Sequence, residues 1–299
     1  MKPADNAFAR EAIEAKGWWG AHRWLVLRRL VQLSVLALFR VAPWFGSLIV
    51  QGNLNYSLTL GTLPLADPLV MLQLLATRHV PERNAIIGVC IVLAFYLLVG
   101  GRVYCAWVCP VNIVTDAASA LRRKLDIRGG GDMPRQTRYW ILALILVLAA
   151  TTGGIVWELV NPVSLLPRGL IFGMGAGWLV IGGIFLFDLF VMKRGWCGHL
   201  CPVGAFYSLL GRWSLVRVSA TKREDCNNCL DCFVACPEQQ VIRMPLKGAS
   251  KGVGPMILDS NCTNCGRCID VCSKDVFTFV PRFAPNEAPT TSAATQPPQ

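Results

Sequence analysis

Eight of the thirteen cysteines fall into two runs of one spacing: Cys226, Cys229, Cys232 and Cys236 in "CNNCLDCFVACP", and Cys262, Cys265, Cys268 and Cys272 in "CTNCGRCIDVCS". Thiolates spaced C-x2-C-x2-C-x3-C grip a four-iron, four-sulfur cubane with the first three ligands and lend the fourth to a second cluster. The spacing therefore predicts two 4Fe-4S clusters, one on Cys226, Cys229, Cys232 and Cys272, the other on Cys262, Cys265, Cys268 and Cys236. Four-cysteine zinc sites show two separated C-x2-C pairs, and a cytosolic domain is not framed by disulfides, so neither alternative matches. Ser273 stands where a proline usually closes such a run, whereas Pro237 keeps it; the change affects a turn and leaves the ligand count intact.

Four more thiols come in a second device. "YCAWVCP" and "WCGHLCP" repeat Cys-x-x-x-Cys-Pro with an offset of 92, matching Cys105 to Cys197, Cys109 to Cys201 and Pro110 to Pro202. Thiols at i and i+4 share a helical face, and a following proline kinks the chain or starts a new helix with free N–H groups. Thiolate beside Arg102, Lys193 and Arg194 is electrostatically favoured. The chemistry open to the four is binding of a redox-active metal or cluster, or thiol–disulfide cycling; the bland alternative is small buried hydrophobes marking a packing repeat. Cys90, alone in an apolar run, reads as structural.

The elements that must carry these thiols follow from composition. The chain has 299 residues, 54% hydrophobic and only 16% charged, whereas soluble domains carry about 25% charged residues. This predicts a membrane protein: an all-α domain of four transmembrane helices built as a tandem repeat of two-helix units, near residues 30–50, 85–101, 139–157 and 170–192. Lys and Arg crowd the segment between the second and third spans, which places both termini of this multi-pass chain in the cytoplasm. Tryptophans 44, 107, 140, 157 and 196 lie near the expected span ends, where indoles favour headgroups. No cleavable signal is visible in the polar, basic start. In the loop after the first span, Asp67 can N-cap a helix with Pro68 at its first position, and the apolar run that follows is too short to cross a bilayer; it reads as a packing lid at the outer interface, with a ligand-site role as the alternative.

The resulting division is an N-terminal cytoplasmic segment over 1–29, the transmembrane domain over 30–216, a small C-terminal α+β ferredoxin domain of the bacterial two-cluster type over 217–282, and a disordered tail over 283–299 rich in Pro, Ala and Thr. A net charge of +11 is assigned to loops beside anionic lipid, with no nucleic-acid partner.

The segments "GRVYCAWVCPVN", "WELVNPVS" and "KRGWCGHLCPVGAFYSLLGR", taken with the doubled cluster run, resemble the NapH family of ferredoxin-type membrane proteins over about residues 20 to 280. The resemblance implies a quinol dehydrogenase component that passes electrons, with a periplasmic ferredoxin-like protein, toward a membrane-anchored c-type cytochrome and a periplasmic nitrate reductase. The same motif combination occurs in related proteins of nitrous oxide respiration, methylamine dehydrogenase maturation and oxidase copper assembly.

Quinol chemistry needs proton acceptors beside an apolar slot. Asp188 in "FLFDLF" is the first candidate because an ionisable group inside an apolar run is costly, with a hydrogen bond to a neighbouring helix as its alternative role. Glu158 and Asn161 come next, with capping as the alternative, and His199 inside the second thiol motif could move a proton or tune a metal. His22 and His79 read as surface residues. Two other functions compete: a membrane iron–sulfur reductase delivering electrons to copper bound by Cys105, Cys109, Cys197 and Cys201, and a non-enzymatic redox sensor or scaffold.

Overall fold

Glycines set the lengths of the long apolar helices. In the computed structural model, which describes residues 8–41, 50–52, 55–59, 61–127, 129–173, 175 and 177–284, α3 (Arg83–Val99) stops at Gly100, whose φ of 138° suits no other residue. α5 (Thr137–Thr152) stops at Gly153 in the left-handed region, the usual glycine stop. The apolar stretch from 170 to 192 is not one helix: α6 (Pro162–Phe172) ends at the stretch's third residue, and α7 (Gly177–Leu186) gives way to a π-helical turn over Phe187–Val191.

These breaks correct the expected fold. Among the described residues no helix is long and apolar enough to cross a membrane, so the four-transmembrane-helix domain is not what the chain builds. Hydropathy measures how apolar a stretch is, and it is blind to a glycine that ends the helix inside it. The first expected span, 30–50, lies on α1 (Arg10–Val41) and then on residues 42–49, outside those described, as are Trp44 and the tail from 285. Nor is the region all α, because β1 (Val50–Gly52), β2 (Tyr56–Thr59) and β3 (Leu63–Ala66) form an antiparallel sheet in the order β1-β2-β3.

The chain divides into two compact units, one of residues 24–214 with Ser260–Cys265, the other of Met1–Arg23, Leu215–Asp259 and Gly266–Gln299. In the larger unit Asp67 does N-cap α2 (Pro68–Ala76), its Oδ1 accepting the Leu69 N–H at 2.8 Å. The core gathers Leu69, Tyr96, Tyr104, Trp157, Val203 and Tyr207. Its exterior is unusually apolar, with Trp140, Leu144, Val147, Leu179 and Phe190 all more than half exposed.

The smaller unit pairs β4 (Val216–Ser219) with β5 (Thr278–Pro281), antiparallel, and carries the short helices α9 (Asp231–Ala235) and α10 (Arg267–Asp270). The N-terminal segment packs here: the Ala9 N–H donates to Asp231 Oδ2 at 3.0 Å and Lys16 Nζ to the Ile269 carbonyl at 3.2 Å.

Candidate redox site

Each Cys-x-x-x-Cys-Pro motif is a single π-helical turn, over Tyr104–Val108 and Trp196–Leu200. The same bond closes both, Cys109 N–H to Tyr104 O and Cys201 N–H to Trp196 O, each at 2.9 Å. A helix follows each proline, α4 (Val111–Lys124) and α8 (Pro202–Leu210). The repeat seen in the sequence is thus a repeat of local backbone, and a turn of this kind is often found at functional sites. Burial pushes all of Cys109, Cys197 and Cys201 above the ordinary thiol value, Cys201 to about 11, and the neighbouring thiols, Cys105 among them, add to the rise. The four sulfurs therefore sit within electrostatic reach of one another. Among the described residues no three His, Cys, Asp or Glu side chains converge as a site for a single metal ion.

Asp188 serves the second motif. It is fully buried, and its Oδ1 accepts the Trp196 N–H at 2.9 Å, fixing the start of the turn that carries Cys197 and Cys201. Its hydrogen-bonding role is the one the structure displays. Arg122 holds the same strand of chain by donating to the carbonyls of Asp188 and Leu189. His199 lies partly buried between the two cysteines of that turn. Glu158 accepts from Asn161 Nδ2 at 3.2 Å, and Asn161 caps α6 through the Val163 N–H, so this pair performs the capping role.

Sequence reasoning missed the fasteners between these turns and the second cluster run. Arg102 donates to the Asn261 carbonyl at 3.0 Å and to the Cys197 carbonyl at 3.2 Å. Arg138, fully buried, donates to the Gly198 carbonyl at 3.3 Å and to Asn261 Oδ1. Trp107, between the cysteines of the first motif, donates its indole N–H to the Asn264 carbonyl at 3.1 Å. Asn264 in turn donates to Val99 O and accepts from Cys262 Sγ. Cys262 and Cys265 are therefore built into the larger unit, and Trp107 and Trp157, the latter 5% exposed, are interior groups instead of headgroup anchors. A single arginine at the edge of an apolar run, as Arg102 and Arg138 are, gives no pattern in sequence that would mark it as such a fastener.

In the smaller unit, Cys226, Cys229, Cys232 and Cys272 line one cavity, the same four thiols that the run spacing assigns to one cluster. Burial raises the Cys232 thiol to about 12, with Cys229, Cys272 and Cys226 adding to it. Four thiolates are the ligand set a 4Fe-4S cluster takes, and iron binding there must displace thiol protons.

Comparison with known proteins agrees with this chemistry. The family described as a 4Fe-4S binding domain matches residues 84–128 and again 174–220, one match around each Cys-x-x-x-Cys-Pro turn, and a 4Fe-4S dicluster domain family matches 225–276. The ferredoxin-type protein NapH of Escherichia coli is 50% identical over 92% of this chain and 95% of its own length. NapH of Haemophilus influenzae is 49% identical over 95% and 98%. The methylamine utilization ferredoxin-type protein MauN of Methylorubrum extorquens is 52% identical over 91% and 94%. No solved structure matches.

Proposed function

The chain belongs to the family of ferredoxin-type proteins that includes NapH and MauN, and from that membership we propose that it is an electron-transfer subunit that oxidises quinol. Cys226, Cys229, Cys232 and Cys272 hold one 4Fe-4S cluster, and Cys262, Cys265, Cys268 and Cys236 hold the other. Bound clusters supply one-electron carriers whose potentials respond to hydrogen bonds at sulfur and to exposure.

The observation that carries the reading is the fastening of the Ser260–Cys265 segment to both thiol turns by Arg102, Arg138 and Trp107. A donor oxidised near the turns is coupled through a rigid, buried network to the backbone that presents Cys262 and Cys265. The apolar exterior of the larger unit supports work at the bacterial cytoplasmic membrane, where quinols dissolve. The electron acceptors in this reading are a periplasmic ferredoxin-like protein and a membrane-anchored c-type cytochrome, leading to nitrate reductase.

The 52% identity to MauN favours a second destination, electron delivery in methylamine utilization. Anaerobic EPR of the purified chain, titrated with a quinol analogue and then with dithionite, tests the donor: cluster signals that grow with quinol support the proposal, and signals that require dithionite overturn it. Deleting the gene and scoring growth by nitrate respiration against growth on methylamine separates the two destinations.

A further inference from the structure

Tyr104 and Val108 of the first thiol turn form one wall of a cavity of about 400 Å³ in the larger unit, a size in the range of small-molecule sites. α1 contributes Val35, α3 contributes Phe95 and Tyr96, α8 contributes Tyr207, and the end of β3 presents Asp67. The lining is apolar except where Ser57, Thr59, Asp67 and the three phenols enter. Tyr104 and Tyr207 stack with centroids 4.8 Å apart, and Tyr96 meets both edge-on at 6.0 and 5.1 Å. All three rings are at most 7% exposed, yet none of their hydroxyls has a hydrogen bond to another described residue. Three phenols around one cavity offer aromatic faces and hydroxyls to a ligand that brings oxygens of its own.

Asp67 is 9% exposed and spends Oδ1 on the Leu69 N–H. Burial pushes its carboxyl up to about 6, Glu158 adding to the rise and the backbone N–H groups opposing it. The charged and titratable groups that face it are Glu158, Tyr96, Tyr104 and Tyr207. A base that titrates near working pH is matched to proton abstraction. Cys105 lies within electrostatic reach of all three tyrosines.

We propose that this cavity is the site of the quinol head group, with its ring against Tyr104 and Tyr207 and Asp67 as the group that takes its proton. The proposal rests on the quinol-oxidising reading above. Oxidation of one quinol breaks two O–H bonds and yields quinone, two protons and two electrons. The protons would leave in turn through the Asp67 carboxyl, and bound 4Fe-4S clusters would supply the one-electron acceptors for the two electrons. The tail of the quinol runs out along the apolar wall of α1 and α3.

The test uses the purified full-length chain with its clusters. Binding of decylubiquinone and of 2,3-dimethyl-1,4-naphthoquinone is measured by calorimetry, and cluster reduction by the matching quinols is followed by stopped-flow absorbance. Ile91→Trp, which fills the wall from a partly exposed position, and Tyr104→Leu each weaken binding by about tenfold or more. Asp67→Asn leaves binding close to wild type and slows quinol-driven reduction at pH 7 by about a hundredfold. Should Tyr104→Leu fail to fold, judged by circular dichroism and cluster absorbance, Ile91→Trp decides. Wild-type binding that survives unchanged in Ile91→Trp and Tyr104→Leu overturns the site and leaves quinol oxidation standing. A wild-type chain that neither binds quinone nor is reduced by quinol overturns the site and the reading together.

Discussion

The indole N–H of Trp107 donates to the Asn264 carbonyl at 3.1 Å, so a side chain standing between the two thiols of one motif holds the backbone between Cys262 and Cys265. Trp107→Phe keeps the ring's bulk and removes the donor, leaving a partly buried carbonyl unpaired at a cost of about 1–2 kcal/mol. Chemical denaturation measures that loss. Because hydrogen bonding near the cluster sulfurs tunes potential, an EPR redox titration of the variant is expected to shift the midpoint of one cluster and leave that of the cluster on Cys226, Cys229, Cys232 and Cys272 in place.

Arg138 carries a sharper geometric demand, since one guanidinium spans the Gly198 carbonyl and Asn261 Oδ1 from a fully buried position. Lysine keeps the charge but offers one compact ammonium in place of a planar fork. Arg138→Lys is expected to cost about 1–3 kcal/mol and to lower iron content per chain, measured by denaturation and by iron analysis. A variant with wild-type iron and stability would show that the fork is not what joins the second turn to Asn261.

The cluster ligands could be read in the sequence because their chemistry is local: three thiols of each run act within seven residues of one another, and their order survives any folding. The paired thiol turns were visible for the same reason, as an exact repeat of Cys, Cys, Pro and Val at one offset. Helix ends were harder. A hydropathy window averages over Gly100 and Gly153, while the backbone stops there. The cavity was beyond reach because α1, β2, β3, α3, the first thiol turn and α8 each give it only one to four residues from distant parts of the chain. Asp67 was recognisable as a helix cap, and only the fold reveals what its carboxyl faces.

Asp188 is expected to behave as a positioning residue. Its Oδ1 accepts from Trp196 N–H, while Oδ2 is buried without a hydrogen-bond partner among the described residues. Asp188→Asn keeps an acceptor for Trp196 and supplies an amide at the other end, so the turn holding Cys197 and Cys201 should persist with stability within about 1 kcal/mol of wild type. Asp188→Ala strands the Trp196 N–H and costs about 1–3 kcal/mol. The accessibility of Cys197 and Cys201 to a maleimide separates the two outcomes: protected in Asn, labelled faster in Ala. Equal labelling of both variants would deny the carboxylate its part in shaping the turn.

Asp67 makes a prediction about stability that needs no cofactor. Its folded-state value is about 6 against an ordinary 3.8, so the native chain binds this proton more tightly than the unfolded chain does. The contribution to stability is then fully present below about pH 4 and is lost as pH rises through 6, the native state paying to ionise a buried carboxyl. Taken at face value the difference amounts to roughly 3 kcal/mol above pH 7. Asp67→Asn retains a competent N-cap and cannot ionise. Denaturation at pH 4 should find variant and wild type close together, and at pH 7.5 the variant should be the more stable, with Glu158→Gln recovering a smaller part of the gap because its charge faces the same carboxyl. A pH-independent difference between Asp67→Asn and wild type would mean that the carboxyl is solvated in the folded chain, and a solvated carboxyl could not be the tuned base of the cavity.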